Sequence, residues 1–565
     1  MKKTSNLLII QLIFFSCLFM QVTAYGQTSD LVKSEGITSP LHQTNVGRIT
    51  FMSKGIPVEE YKETDFLKTF EIKEGIDLNI RTYLGNSLTN YLHPLAPKLT
   101  ADEVNALGNY QFSFYVDNSL IYKENLHPGA GLPENKKTKT VFQIPLISST
   151  NADSWGRYLW GRFMAYGGED ALTVGKPHLL KIEIRPYVKN PDLVAGNIIA
   201  HGEITLTVTK PQVDPAKLQP QAIQPSSGFS LSNLKYDKEK IKELNQKIED
   251  KTFKQITSIV VLKDGQLVLE EYFNGATRTT LHDPRSVGKT FASAAMGIAI
   301  KDGYIKNENQ TLGQFYNLKE FSNYSVRKDS VTLRSLLMMS SGFDGSDNNS
   351  ESPGNEENMY PTNNWVKFAL DLPMDKAKVM EKNWDYFTAG VVVLGDVIHK
   401  SVPGGLEKYA DEKLFKPLGI KNYKWQYTPQ HVANTAGGIQ LASLDFARFG
   451  QLYLNDGKWN NKQILPQKWV NSSLAKQVAL PDGSGSYGYL FWNKTYKVGN
   501  ASYETYYCSG NGGNKIFIFK ELGLVVVVTA TAYNTPYAHP QVDKIIQRYI
   551  LPAVVTGNTT VSSGK

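Results

Sequence analysis

Apolar and polar residues alternate with a period of two along much of residues 45–210. Phe112-Ser113-Phe114-Tyr115-Val116 is one such stretch; Leu180-Lys181-Ile182-Glu183-Ile184 and Glu203-Ile204-Thr205-Leu206-Thr207-Val208 are others. Successive side chains of a strand point to opposite faces, so the pattern marks strands with one buried face. Asp117-Asn118 and His127-Pro128-Gly129 punctuate them as turns. Short alternating strands with polar spacers predict an antiparallel, all-β sandwich over 45–210. Beyond residue 228 the periods mix. Tyr236 to Asp250 reads as a charged amphipathic helix, and Ile256 to Val261 with Leu267 to Phe273 flank the hairpin signal Asp264-Gly265. Ser286 to Ile300 is an apolar helical run ending near Gly303. Ile516 to Phe519 and Val525 to Thr529 form a second strand pair joined at Glu521-Leu522-Gly523, and a last helix carries Val542, Ile545, Ile546 and Tyr549 on one face. Strands at both ends with helices between predict one antiparallel sheet flanked by helices, with a helical lobe over about 303–435.

Pro211, Pro215, Pro220 and Pro225, interleaved with Gln, Ala and Ser, separate the two regions. Proline at this density forbids a helix or a central strand, so residues 211–228 read as a semi-extended linker. The second domain then covers 229–553, with a tail at 554–565. A length of 565 residues exceeds one ordinary core, which agrees with two domains. At the start, Lys2-Lys3 precede an apolar run from Leu7 to Met20, and small residues follow at Ala24 and Gly26. That is the layout of a secretory leader over residues 1–26, cut near Gly26/Gln27 and followed by a flexible stretch at 27–44. A lipoprotein anchor at Cys17 is the alternative, and Phe14-Phe15-Ser16 makes a poor attachment motif for it. The mature chain is therefore expected in the periplasm or outside the cell. No later run of about 18 apolar residues predicts a spanning helix. Loss of the leader removes two lysines and no acid, lowering the formal charge from +8 to +6. So small a charge, with no dense Lys/Arg block, excludes an electrostatic footprint for nucleic acid. Two cysteines, one of them in the leader, cannot build a disulfide scaffold.

The candidate chemistry lies in the second domain. In Ser286-Val287-Gly288-Lys289, serine and lysine three apart share one helix face, and an amine against the hydroxyl can activate an otherwise weak nucleophile. The spacing alone is unspecific, because Ser232/Lys235, Ser325/Lys328, Ser473/Lys476 and Ser562/Lys565 repeat it. Only Ser286 stands where a strand hairpin gives way to an apolar helix (Phe291, Ala292, Ala294, Ala295, Met296, Ile298). The start of that helix offers free N–H groups and a positive dipole to a developing oxyanion. Gly288-Lys289-Thr290 imitates the end of a phosphate-binding loop, but the first glycine of that motif falls on Asp283, whose carboxylate would repel phosphate. Gly-x-Ser-x-Gly and His-Glu-x-x-His are both missing. The histidines of the first domain (His93, His127, His178, His201) show no metal spacing, so no metal or cofactor is expected. Cys508 reads as a buried, inert thiol and His282 as a positioning residue at most.

The stretch His282 to Lys289 resembles the nucleophile segment of the β-lactamase-related serine hydrolases. These group class C β-lactamases, low-molecular-weight penicillin-binding proteins, and esterases and amidases such as the 6-aminohexanoate-dimer hydrolase. The resemblance continues, in family order over about 230–550, through Leu333 to Gly342, Gly437-Gly438-Ile439, Asp445 to Gly450, Tyr487-Gly488-Tyr489 and the final strand pair. It implies an α+β fold of the β-lactamase/transpeptidase type after the β-sandwich. It also implies a catalytic tyrosine in a Tyr-x-Asn motif, which Tyr386-Phe387-Thr388 fits, with Thr388 replacing Asn on the substrate side. Tyr386 with Lys289 would take the proton from Ser286, and which of the two is the base stays open. The family's Lys-Thr-Gly or His-Thr-Gly element matches Ser509 to Asn514. By resemblance the N–H of Gly513 joins that of Ser286 as the oxyanion hole, beside Gly512 and Asn511, in a register open by one residue. No cation stands in this segment where the family pairs one with a substrate carboxylate, and Lys515 is expected to face elsewhere. The resemblance therefore implies a serine hydrolase acting on a small, uncharged acyl ester, amide or peptide-like compound through a Ser286 acyl-enzyme. A β-lactamase or D-Ala-D-Ala-type peptidase is one alternative. The other is a cell-envelope or polysaccharide-binding protein that grips cell-wall material through residues 45–210 and carries an inactive hydrolase domain.

Overall fold

The computed structural model describes residues 29–555 apart from 54–55, 58–59, 74–75, 129, 131–132, 149–154 and 350. The leader with Cys17 and the pair Ser562/Lys565 lie outside the described residues. The chain divides into two compact units. One runs to Phe70 and takes in Gly75–Arg157 and Pro177–Leu206; the other holds Glu71–Glu74, Tyr158–Lys176 and everything from Thr207 onward.

In the first unit the alternating stretches are strands. Gly108–Val116 pairs antiparallel with Pro177–Lys189, and Phe112 stands opposite Ile184. Ile49–Met52, Leu78–Tyr83 and Val141–Ile147 form a separate three-stranded sheet. The region is not wholly β. Leu88–Leu92 and Ala101–Leu107 are helical, started by Ser87 and by the Thr100/Glu103 capping box. Both are two turns or less, too short for a helical period to emerge from the alternation around them.

The second unit is built on one antiparallel sheet. Strands β1 (Ile256–Lys263) and β2 (Gln266–Tyr272) form the expected hairpin, with Asp264 and Gly265 at φ of 50° and 75° as a type I′ turn requires. With β3 (Trp492–Val498), β4 (Ala501–Gly510), β5 (Asn514–Phe519) and β6 (Leu524–Ala530), the order is β2-β1-β6-β5-β4-β3, extended by the short strands Ser486–Tyr487 and Val478–Ala479. Every residue of β6 is buried because both faces are covered. Ile516, Ile518, Val525 and Val527 pack with the apolar residues of α2 (Lys289–Lys301), α3 (Thr388–Ser401) and α4 (Ser443–Leu454). Phe517, Phe519, Val526 and Val528 pack with α1 (Lys238–Glu249) and α5 (Ala538–Ile545) on the other side. The stretch between α2 and α4 is the expected, mainly helical lobe. Among the described residues no helix is long and apolar enough to cross a membrane.

Residues 211–228 differ from a free linker. Gln221 exchanges side-chain hydrogen bonds with the backbone of Tyr272 (3.1 and 2.8 Å), and its N–H donates to the Glu271 carboxylate at 2.8 Å. Asn245 of α1 donates to Leu218 O and to Glu271. Proline prevents this segment from being an internal strand, but it leaves the other residues free to satisfy the open edge of β2. Glu271 is completely buried, and loss of hydration pushes its carboxyl up to about 7, against the lowering effect of the Gln221 and Asn245 donors. A carboxyl raised on folding takes up a proton, so this group stabilises least above pH 7 and ceases to penalise folding below its ordinary value of 4.5. Glu271→Gln is expected to be more stable than the parent by about 2 kcal/mol at pH 8. The gap should close as the pH is lowered toward 5. Denaturant titrations at the two pH values check this, and an equal gap at both would show that Glu271 is not the titrating group.

Candidate active site

Ser286 lies in a single 3-10 turn, Arg285–Gly288, that runs directly into α2. In a 3-10 turn residues i and i+3 eclipse, so Lys289 is brought over Ser286 more closely than an α-helical start would bring it. Lys289 Nζ lies 2.8 Å from Ser286 Oγ and 2.7 Å from the carbonyl oxygen of Ala436. Lys289 is 1% exposed. Its ammonium therefore depends on these two oxygens and on the ring of Tyr386, whose centroid is 5.2 Å away.

Two glycines make this packing possible. A Cβ on Gly437 would lie 2.5 Å from Arg285 O and 3.1 Å from Ser286 N, and its φ of 142° is one that other residues avoid. A Cβ on Gly510 would lie 1.9 Å from Pro284 O and 3.1 Å from Ser286 N. The loop carrying Ala436 and the end of β4 thus close on Ser286 from two directions, backbone against backbone.

Tyr386 reaches the pair from the helical lobe, just before α3. Its ring stacks on Trp492 (5.8 Å, 22°) and neighbours Trp384. Asp347 fixes the backbone on either side. Its N–H donates to Tyr386 O at 2.8 Å, and its carboxylate accepts from Thr388 N at 2.7 Å and from Glu356 N at 2.8 Å. Burial raises the Asp347 carboxyl and the Glu356 charge raises it further, while the Thr388 donors and Lys289 oppose. Asp347 had no signature in the sequence, because one aspartate in a polar turn is indistinguishable from a surface residue until the fold brings two helix starts to it.

The Ser286/Lys289 segment, Tyr386 and the glycine turn after β4 all fall inside residues 246–548, the stretch that matches the model of the Beta-lactamase family, more than half of the chain. The chain belongs to the Beta-lactamase family. It is similar to a Bacillus anthracis protein described as a putative 6-aminohexanoate-dimer hydrolase (20% identity, 60% of this chain and 89% of that one, TM-score 0.45). It is similar to an octameric penicillin-binding protein homologue from Pyrococcus abyssi (20%, 55% and 76%, TM-score 0.42). A third similar structure is EstCE1, a hydrolase with promiscuous acyltransferase activity (13%, 55% and 98%, TM-score 0.45). Comparison with curated proteins yields no match.

Within this Beta-lactamase-family chain the remaining sequence candidates separate clearly. Gly513 N–H donates to Gly510 O at 3.3 Å, and its missing Cβ faces Ala538 O, so it shapes the β4–β5 turn and has no donor free for an oxyanion. This corrects the assignment of Gly513 as oxyanion donor: a three-residue turn spends its last N–H on closing itself. Gly512 lies against the ring of Tyr533 and accepts from Ala532 N. Asn511 is exposed; its side-chain amide donates to Asn534 Oδ1 and accepts from Asn534 N–H. Thr388 is wholly buried, with its N–H turned to Asp347. Lys515 is buried beneath α5 and paired with Asp543, on the opposite side of the sheet from Ser286's helix. Burial pushes the Cys508 thiol up to about 12 and His282 down to about 4, leaving both neutral near pH 7. Of the other Ser-x-x-Lys pairs, Lys328 serves Ser322 O and Leu370 O, and Lys476 pairs with Glu504. Among the described residues no cluster of His, Cys, Asp and Glu could hold a metal.

Proposed function

We propose that the protein is a serine hydrolase that cleaves a small ester or amide through an acyl-enzyme on Ser286, outside the cytoplasm and after loss of residues 1–26. The observation that carries this reading is the 2.8 Å contact between Lys289 Nζ and Ser286 Oγ, held in place by Ala436 O. In its deprotonated form the Lys289 amine accepts the Oγ–H proton as Oγ bonds to the substrate's carbonyl carbon, with the Tyr386 phenolate as the second candidate base. The carbonyl π pair becomes an oxyanion beside Ser286 N. Asn511 N–H is the partner donor this reading favours, since it precedes the turn closure that occupies Gly513. Collapse expels the alcohol or amine, which takes the stored proton, and water repeats the sequence to free Ser286. Family membership supports hydrolysis in general, and the contact of buried Lys289 with Ser286 supports the acyl-enzyme route.

A fluorophosphonate probe applied to cytoplasmic, envelope and medium fractions tests both parts. Wild type should be labelled in the envelope or the medium, and Ser286→Ala should not be labelled anywhere. Labelling that survives this change removes the acyl-enzyme; a labelled band confined to the cytoplasm removes export.

A further inference from the structure

Arg285, immediately before the nucleophile, holds its backbone at φ 51°, a left-handed conformation that costs a non-glycine residue energy. The side chain so displayed is half exposed, and its guanidinium lies 4.8 Å over the ring of Tyr533. Tyr533 is itself fixed: its hydroxyl donates to Asp283 O at 2.8 Å, and its ring packs on Gly512 of the β4–β5 turn. The cation therefore stands against Tyr533 at the sheet wall, next in sequence to the reacting serine. Its carboxylate neighbour is Asp283, whose Oδ2 is 3.5 Å from Nε. Among the described residues no carboxylate or carbonyl oxygen is hydrogen-bonded to its two terminal nitrogens. A guanidinium oriented by the Tyr533 ring and hydroxyl, half exposed and without a bidentate carboxylate partner, suits recognition of a substrate carboxylate.

We infer that Arg285 is a specificity-determining residue that selects ester or amide substrates carrying a carboxylate near the scissile bond. The inference rests on the Ser286 reading and reverses one expectation drawn from the sequence. The glycine segment after β4 does lack a cation, but the turn before Ser286 supplies one to the same turn through Tyr533. Charge in the substrate is thus read from the nucleophile's own turn.

Two matched substrate pairs test this. Mono-(p-nitrophenyl) adipate and its methyl ester place the acid on the acyl side; 3-acetoxybenzoate and its methyl ester place it on the leaving group. Wild type should prefer the free acid in at least one pair, with the preference falling as salt is raised. In Arg285→Gln the ratio of kcat/KM for acid over methyl ester should drop at least tenfold, and Arg285→Lys should recover part of it. Methyl esters turned over as fast as the acids in wild type, or a ratio unmoved by Arg285→Gln, would overturn the inference while leaving the acyl-enzyme intact. Loss of Ser286 labelling would instead defeat the reading beneath it.

Discussion

Lys289→Met is expected to lower kcat by about 10³–10⁴-fold while the protein stays folded. Two stability effects oppose each other here. The substitution leaves Ala436 O buried without its donor, a cost of about 1–3 kcal/mol. It also removes an ammonium that is 1% exposed, and a methionine of similar length refills the space without that desolvation penalty. The net change in stability should be within about 2 kcal/mol, whereas the lost activity corresponds to about 4–5 kcal/mol of transition-state stabilisation. Turnover of an activated ester, measured beside thermal melting, separates the two. A loss of activity that merely tracks the unfolded fraction would show Lys289 to be a structural cation.

What the sequence made visible were features written in consecutive residues. Asp264-Gly265 announces its turn because only a narrow set of residues accepts two positive φ angles, and the apolar run from Phe291 to Ile298 announces a helix buried all round. The Ser286/Lys289 pair is local for the same reason. What stayed hidden is chemistry supplied by backbone or by distant segments. The second acceptor of Lys289 is a carbonyl at Ala436, and carbonyls carry no residue signature. Asp347 organises the segment around Tyr386 from 39 positions away, through its own N–H to Tyr386 O and its carboxylate to Thr388 N–H. The Gly510–Gly513 motif was legible as a close approach, but the division of its N–H groups between turn and substrate depends on the turn's closure. The proline-rich segment looked free because composition reports what it cannot form internally, and says nothing of the sheet edge it can satisfy.

Asp543→Leu is expected to destabilise the second unit by about 3 kcal/mol. The Asp543 carboxylate accepts from Lys494 at 2.6 Å, Lys515 at 2.9 Å and the Tyr496 hydroxyl at 2.7 Å. The two ammoniums hold it well below the usual carboxylate range against the opposing effect of burial. Lys515 is almost fully buried, and burial together with the Lys515 charge depresses Lys494 to about 8. Removing the carboxylate leaves two like charges beneath α5 with nothing between them. Without Asp543 to raise it, Lys494 releases its proton below the parent's value of about 8, so the deficit relative to the parent should shrink as the pH is raised toward 8 and beyond. Adding both Lys494→Met and Lys515→Met should restore most of the lost stability at pH 7, because an apolar trio avoids the desolvation that the ion cluster must offset. The effect should extend to the active site. Gly513 packs against Ala538 O, the first residue of α5, so loosening that helix frees the turn whose other end, Gly510, closes on Ser286. Urea titrations at pH 7 and 9.5, with fluorophosphonate labelling rates on the same samples, test the chain of effects. A variant as stable as the parent, or one whose deficit grows with pH, would mean the cluster is not held together by charge.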